Sequence, residues 1–260
     1  MRLTVLGCGS AFSAVGANAG YCLDGTVLVD CGCPAHLQLP RAGIDVGAVR
    51  TVLLTHFHAD HTFMLPLFLG ARALACGDDP PPLRVAGPPG TREYVLRILR
   101  TGYGQGLLDT VLSRLVLHRT VLQDGCDLDV DGYRVRAHAV VHSTGPSYAY
   151  AVTGPDGATV GFSGDTTLCA GLRRVTAQSD LMVCECTGWD EPVPSHLWRP
   201  EVDELMQQMP KTVFLLSHLV ERRSLPGALV AHDLLSLDVL PPGSPLPEPP
   251  VSVRAAATAG

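Results

Sequence analysis

The stretch "TVLLTHFHADHTFMLPL", residues 51–67, sets three histidines and an aspartate (His56, His58, Asp60 and His61) between two apolar runs. The first run belongs to "VRTVLLT" (Val49–Thr55), a continuous apolar segment of the kind that forms a strand buried on both faces. After the polar group, Met64, Leu65, Phe68, Ala71 and Leu74 recur at helical spacing, with Pro66 suited to the first helical turn. The polar group therefore marks the junction between a buried strand and a helix. A solvated loop would explain it most simply, unless distant residues complete it.

Three distant residues are placed to do so. His142 follows "AHAVV", Asp165 follows "GFSG" and His218 follows "VFLLS", so metal-competent side chains recur where buried strands end. In an extended or turn segment His56 and His58 project to one side and can grip one ion. Asp60 and His61, beyond the turn, face a second position. His142 would complete the first set, His218 the second, and Asp165 can bridge both. Imidazole nitrogen and carboxylate oxygen are donors that zinc, manganese and iron accept, and this mixture suits zinc first. Seven donors for two divalent ions leave open positions for a bridging water or hydroxide. Two ions ~3.5–4 Å apart bring the pKa of such a water towards ~7 and clamp the oxygens of a displacement reaction.

The rest of the chain is consistent with a layered α/β domain. Strands are expected at "RLTVLGC" (Arg2–Cys8), "GYCLDG", "TVLVDCG" (Thr26–Gly32), "PLRVAG", "YRVRAHAVVH" (Tyr133–His142), "SYAYAVT", "ATVGFSGD", "DLMVCEC" and "KTVFLLSH". Helices are expected from Pro89–Thr91 toward Arg100, at "AGLRRVTAQS" and at "PEVDELMQQM". Two roughly similar halves fit two sheets packed face to face with helices outside. We read residues 1–240 as one domain, and the Pro-rich 241–260 as a disordered tail.

At 260 residues the chain can bury a sizeable core without disulfides. Its nine cysteines are scattered through apolar stretches, which points to reduced thiols and a cytoplasmic location. The pairs Cys31/Cys33 and Cys184/Cys186 lack the spacing of a zinc ribbon and suit core packing better. Neither end reads as a targeting segment, and no apolar run approaches the ~20 residues of a membrane helix. A net charge of −6 argues against an extended nucleic-acid surface.

The order H-x-H-x-D-H, a later His, then "SGD", then "SH" resembles the metallo-β-lactamase-fold hydrolase superfamily, from Met1 to about His232. That resemblance implies a four-layer αββα sandwich with a dinuclear metal site at one edge. It implies the same ligand sets: His56, His58 and His142 for one ion, Asp60, His61 and His218 for the other, with Asp165 between. The segments "LTVLGCGSAFS", "LVDCGCPAHLQL", "VAGPPGT", "VVHSTGPSYAYAV" and "CECTGW" with "PSHL" are similar to ribonuclease Z and its short phosphodiesterase relatives. In that branch a Glu and a His lie beside the scissile phosphate, and here they match Glu185 and His196. The resemblance thus names Asp60, Glu185 and His196 as catalytic candidates, with His196 protonating the leaving oxygen and Glu185 holding its tautomer.

No Lys-rich arm of the kind that grips transfer RNA occurs between Tyr94 and Val130 or between Pro155 and Ala170. The expected substrate is therefore a small or short nucleotide phosphodiester, such as a cyclic phosphate. A thioester, lactone or carboxylic-ester hydrolase is the alternative, since the same nucleophile attacks carbonyl carbon. A metal-binding scaffold without turnover is the third reading. Trp189 and Trp198 flank His196; they could wall a substrate pocket and stack a base or sugar, but hydrophobic loop packing is their expected role. His36, His118, His138 and His232 stand outside the pattern. Relatives commonly dimerise, which makes a homodimer an open expectation.

Overall fold

Short apolar runs broken by glycine or aspartate become strands in a computed structural model that describes residues 1–77 and 81–241. β1 (Arg2–Gly7), β2 (Gly20–Leu23) and β3 (Val27–Val29) pair antiparallel. α1 (Ala35–Arg41) and a 3₁₀ turn at Val46–Ala48 then carry the chain back, so β4 (Thr51–Leu53) runs parallel to β3. α2 (Ala59–Thr62) and α3 (Leu65–Ala75) lead to β5 (Leu83–Gly87), and α4 (Thr91–Ser113) leads to β6 (Leu117–Val121), both parallel.

The second half repeats this scheme. β7 (Asp127–Val130), β8 (Tyr133–Val140), β9 (Ser147–Thr153) and β10 (Thr159–Phe162) form an antiparallel meander. α5 (Ala170–Gln178) and α6 (Arg199–Gln208) are the crossovers that set β11 (Leu181–Glu185) and β12 (Val213–Ser217) parallel to β10. β13 (Ala228–Val230) adds to β12, and β14 (Ser236–Asp238) returns to pair with β1. The result is two seven-stranded sheets, ordered β14-β1-β2-β3-β4-β5-β6 and β13-β12-β11-β10-β9-β8-β7.

Period-2 alternation makes the layers. Leu3, Val5, Tyr21, Val27 and Leu53 of the first sheet meet Tyr148, Tyr150, Val152, Phe162, Val183 and Leu215 of the second in a central core. The opposite face of the first sheet packs Leu6, Leu28 and Val52 against Leu39, Phe68, Leu69 and Val95 of its helices. The opposite face of the second packs Ala149, Met182, Cys184 and Leu216 against Leu172, Val175, Val202 and Leu205. This is the expected αββα sandwich. All nine cysteines are free thiols, and Cys31, Cys33, Cys184 and Cys186 are buried in the outer cores.

Four strands lie where no strand signal is present in the chain: β6, β7, β13 and β14. They are the four edges of the two sheets. An edge strand packs less of its surface, so its residues need not form an apolar run; Leu117–Val121 is partly exposed along its whole length. α1 also went unread, because Pro40 sits inside it. β8 ends at Val140, two residues before His142. Of the Pro-rich segment 241–260 only Pro241 is among the described residues. Among the described residues no helix is long and apolar enough to cross a membrane.

β3, β4, β10, β11 and β12 run so that their C-terminal ends lie on one rim, and β8, antiparallel to β9, ends on the same rim. Two glycines allow the approach. Gly164, at φ +55°, turns the chain after β10, and a Cβ there would lie 2.8 Å from Thr55 Cβ. A Cβ on Gly32 would lie 1.6 Å from the Asp60 carbonyl oxygen, so that backbone packs on bare glycine.

α3 buries Phe68 and exposes Leu74. We predict that Phe68→Ala costs about 3–5 kcal/mol of unfolding free energy, whereas Leu74→Ala stays within about 0.5 kcal/mol. Urea unfolding of the two variants checks this; similar losses would contradict the packing of α3.

Candidate metal centre

Strand ends deliver each polar side chain to the shared rim. Asp30 follows β3, the His56–His61 group follows β4, His142 follows β8, Asp165 follows β10, Glu185 ends β11 and His218 follows β12. Within "HFHADH" the backbone is extended up to His58, which caps α2. Phe57 points away from its neighbours and stacks on Tyr94, with ring centroids 4.4 Å apart. That contact leaves His56 and His58 on the rim side, and α2 then aims Asp60 and His61 into it.

All seven residues nominated as ligands converge, in two sets that share Asp165. In the first, His58 Nδ1 lies 3.2 Å from His56 Nε2 and 3.0 Å from His142 Nε2. Asp165 Oδ2 stands 3.7 and 3.9 Å from the latter two nitrogens. In the second, Asp60 Oδ2 is 3.1 Å from His218 Nε2 and 3.6 Å from His61 Nε2. Asp165 reaches His61 Nε2 with Oδ1 at 3.2 Å and His218 Nε2 with Oδ2 at 3.4 Å. The donor atoms of each set all lie within 4.8 Å of one another.

The outer nitrogens fix the tautomers. Thr55 Oγ1 donates to Asp30 Oδ2 and so can only accept from His56 Nδ1, 3.0 Å away. His61 Nδ1 meets Asp30 Oδ2 at 2.7 Å, and His142 Nδ1 meets the Ser195 carbonyl at 2.9 Å. Thr187 Oγ1 gives its proton to Glu185 Oε2 at 2.6 Å and accepts from His218 Nδ1 at 2.8 Å. Each Nδ1 thus carries the proton, and each Nε2 turns a lone pair inward. His58 is reversed and presents Nδ1.

Lone pairs this close, with no proton to share, repel one another unless a positive charge lies among them. Burial, and then the neighbouring His61, keep His56 neutral well below its ordinary range; burial also lowers His58 and His142. A proton on His61 can supply that positive charge: burial works against it, yet Asp165 and Asp30 hold the ring well above the usual imidazole range, and a cation would take the proton's place. Asp165, despite its burial, is held well below the carboxylate range by His218 and His61. The buried atoms His61 Nε2 and Asp165 Oδ1 have no hydrogen-bond partner. Orphans of this kind cost about 1–3 kcal/mol each, and a cation between them satisfies both. The donor set therefore fits divalent cations.

Glu185 and His196 form a separate pair on one side of these sets. Glu185 is buried, at 2% exposed. Its Oε1 accepts the Thr166 amide at 2.6 Å, and its Oε2 lies 3.1 Å from His196 Nδ1. The His196 side chain is 17% exposed and faces the cleft. Burial lowers its basicity, but the Glu185 carboxylate raises it further, for a net rise. Glu185, His196 and His218 also meet the spacing for a cation. Glu185 is already engaged by His196 directly and by His218 through the Thr187 hydroxyl, so we assign no ion to that trio.

Asp30, Thr55, Thr187 and Ser195 were absent from the sequence reading, though they orient four of the imidazoles. Only the position of Asp30 at the end of a buried strand, in "LVDCG", carried a signal. Asp30 and His218 adopt left-handed backbone, at φ 55° and 54°, a cost of ~1–3 kcal/mol each that persists where the surroundings enforce it. Trp189 packs into the outer core under Arg223, in line with a packing role, and neither tryptophan lines the cleft. His36, His118, His138 and His232 join neither set.

A family model described as Anti-Pycsar protein Apyc1 matches residues 1–225. The chain is 32% identical over 197 residues to a ribonuclease Z of Mycobacterium avium (strain 104), covering 70% of this chain and 69% of that one. Against ribonucleases Z of other Mycobacterium strains it spans 56% of their length. Among solved structures it is similar to the short form of human tRNase Z, with TM-score 0.72, 21% identity and coverage of 92% and 99% of the two chains. The metallo-beta-lactamase fold protein YhfI of Bacillus subtilis superposes with TM-score 0.73 at 19% identity, covering 91% and 98%.

Asp30→Asn removes the acceptor that sets the His61 tautomer. We predict affinity for a divalent cation about 10–100-fold weaker, with the circular dichroism spectrum retained. Competition with a chromogenic chelator measures it; unchanged affinity would remove Asp30 from the site.

Proposed function

The chain belongs to the family described as Anti-Pycsar protein Apyc1, in the ribonuclease Z-like branch of the metallo-β-lactamase fold, and from that premise we propose a metal-dependent phosphodiesterase acting on small or short nucleotide phosphodiesters. The observation that carries this reading is the convergence of six imidazole and carboxylate donors on the buried Asp165 carboxylate, with His196 on the lip above. In this reading His56, His58 and His142 hold one ion and Asp60, His61 and His218 a second, with Asp165 between them. Bound divalent ions, zinc first among those the donors suit, supply an activated water and neutralise charge on the phosphoryl oxygens.

The chain's own groups do the rest. Glu185, fixed by Thr166 and Thr187, keeps His196 Nδ1 protonated and its ring turned so that Nε2 is the cleft-side nitrogen. As water attacks phosphorus and the P–O bond breaks, the leaving oxygen takes the proton from Nε2 of imidazolium His196. The neutral ring that remains still donates Nδ1–H to Glu185. Asp60 and Asp165, both buried, place negative charge where cations are wanted. The small substrate follows from the net charge of −6, which offers an RNA backbone little attraction.

The test is a panel of phosphodiesters, thioesters and lactones offered side by side to metal-loaded protein. Cleavage of bis-p-nitrophenyl phosphate and of cyclic nucleotides is expected. His196→Ala should slow it about 10²–10⁴-fold with bound metal unchanged, and Glu185→Gln should slow it less. Thioester or lactone turnover without phosphodiester turnover would replace this reading with a carbonyl hydrolase, and turnover of none would leave a metal-binding scaffold.

A further inference from the structure

We propose that Phe12 and Phe63 form a stacking site for the base of a nucleotide whose phosphoryl group lies over Asp165, an inference that rests on the phosphodiesterase reading above. The chain has six phenylalanines. Phe68, Phe162 and Phe214 are buried in the cores, and Phe57 stacks on Tyr94. The other two are exposed, Phe12 at 102% and Phe63 at 62%, and both line one cleft of about 430 Å³. Asp60, Asp165, His196 and His218 line that same cleft. Phe12 stands wholly in water and Phe63 leaves most of its surface there, both beside the charged floor.

The loop that presents Phe12 is firmly framed. Asn18 Nδ2 donates to the carbonyls of Ser10 and Ala11, the two residues before the ring, at 3.1 and 3.3 Å. Ser10 N donates to the carbonyl of Leu219, the residue after His218, at 3.1 Å. Asp233 accepts from the amides of Cys8 and Ala17 on either flank. Phe63 is equally fixed, at the end of α2, where its amide donates to the Ala59 carbonyl at 2.9 Å. Both rings are thus registered to the backbone that carries the proposed ligands.

A charged floor beside aromatic walls asks for a ligand with a phosphate at one end and a flat ring at the other. A nucleotide has that shape, and stacking on phenylalanine tolerates any base because every base has a π face. Asn18, the side-chain amide among the described residues that line the cleft, already spends its donors on the loop.

The test compares dissociation constants of AMP and ribose 5-phosphate on the metal-loaded full chain by calorimetry. The wild type should prefer AMP, and Phe12→Ala and Phe63→Ala should each cut that preference by about tenfold, with Phe12→Tyr retaining it. A wild type that binds neither compound, or both equally, overturns the proposal. So does an unchanged preference in both alanine variants; if Phe12→Ala then alters the oligomeric state by light scattering, the rings belong to an interface between copies. A protein that prefers AMP through these rings yet cleaves no phosphodiester sinks only the catalytic reading.

Discussion

A buried carboxylate with nothing neutral to bind is the constraint around which this rim is arranged. Asp165 is 2% exposed, and nitrogens of five imidazoles stand 3.2–3.9 Å from it. Removing a carboxylate from water costs several kcal/mol even after relaxation, so the surroundings must return positive charge. The imidazoles come from both halves of the chain: His56 and His61 follow a strand of the first sheet, His142 and His218 strands of the second. Only two sheets facing each other, with these strand ends on one rim, bring them within reach.

The joint between the sheets is reinforced at that place. Tyr21 of β2 hydrogen-bonds Ser217 of β12 at 2.7 Å, and Tyr150 of β9 donates to the Leu54 carbonyl at 2.6 Å. The Tyr148 amide donates to the Thr55 carbonyl at 2.9 Å. These buried bonds fix the relative position of the β4 and β9–β12 ends, and with it the spacing of the imidazoles. Behind them, Asp30, Thr55, Thr187 and the Ser195 carbonyl decide which ring nitrogen faces inward. The left-handed backbone at Asp30 and His218 is consistent with a rim shaped for those orientations rather than for minimum strain.

Much of this was legible in the sequence, for identifiable reasons. Strands in the middle of each sheet are buried on both faces, so they read as apolar runs, and a polar residue at the end of such a run stands out. His56 to His61, His142, Asp165 and His218 were visible in that way. The edge strands β6, β7, β13 and β14 were not, because half-exposed edges do not need the pattern. The orienting residues were hidden for another reason. Thr55, Thr187 and Ser195 act through a hydroxyl or a backbone carbonyl, and those groups occur everywhere in a sequence. Glu185 and His196 were nominated through family resemblance; periodicity alone marked neither. Phe12 and Phe63 carried no signal at all, since an exposed phenylalanine and a buried one look alike until the cores are known.

The most direct measurement is elemental analysis of the full chain after loading with zinc, manganese or iron and dialysis, with Asp165→Ala treated in parallel. The account predicts two equivalents of divalent metal per wild-type chain, and loss of bound metal from a variant that stays folded. A folded wild-type chain that retains no metal, or an Asp165→Ala variant that retains both equivalents, would contradict it.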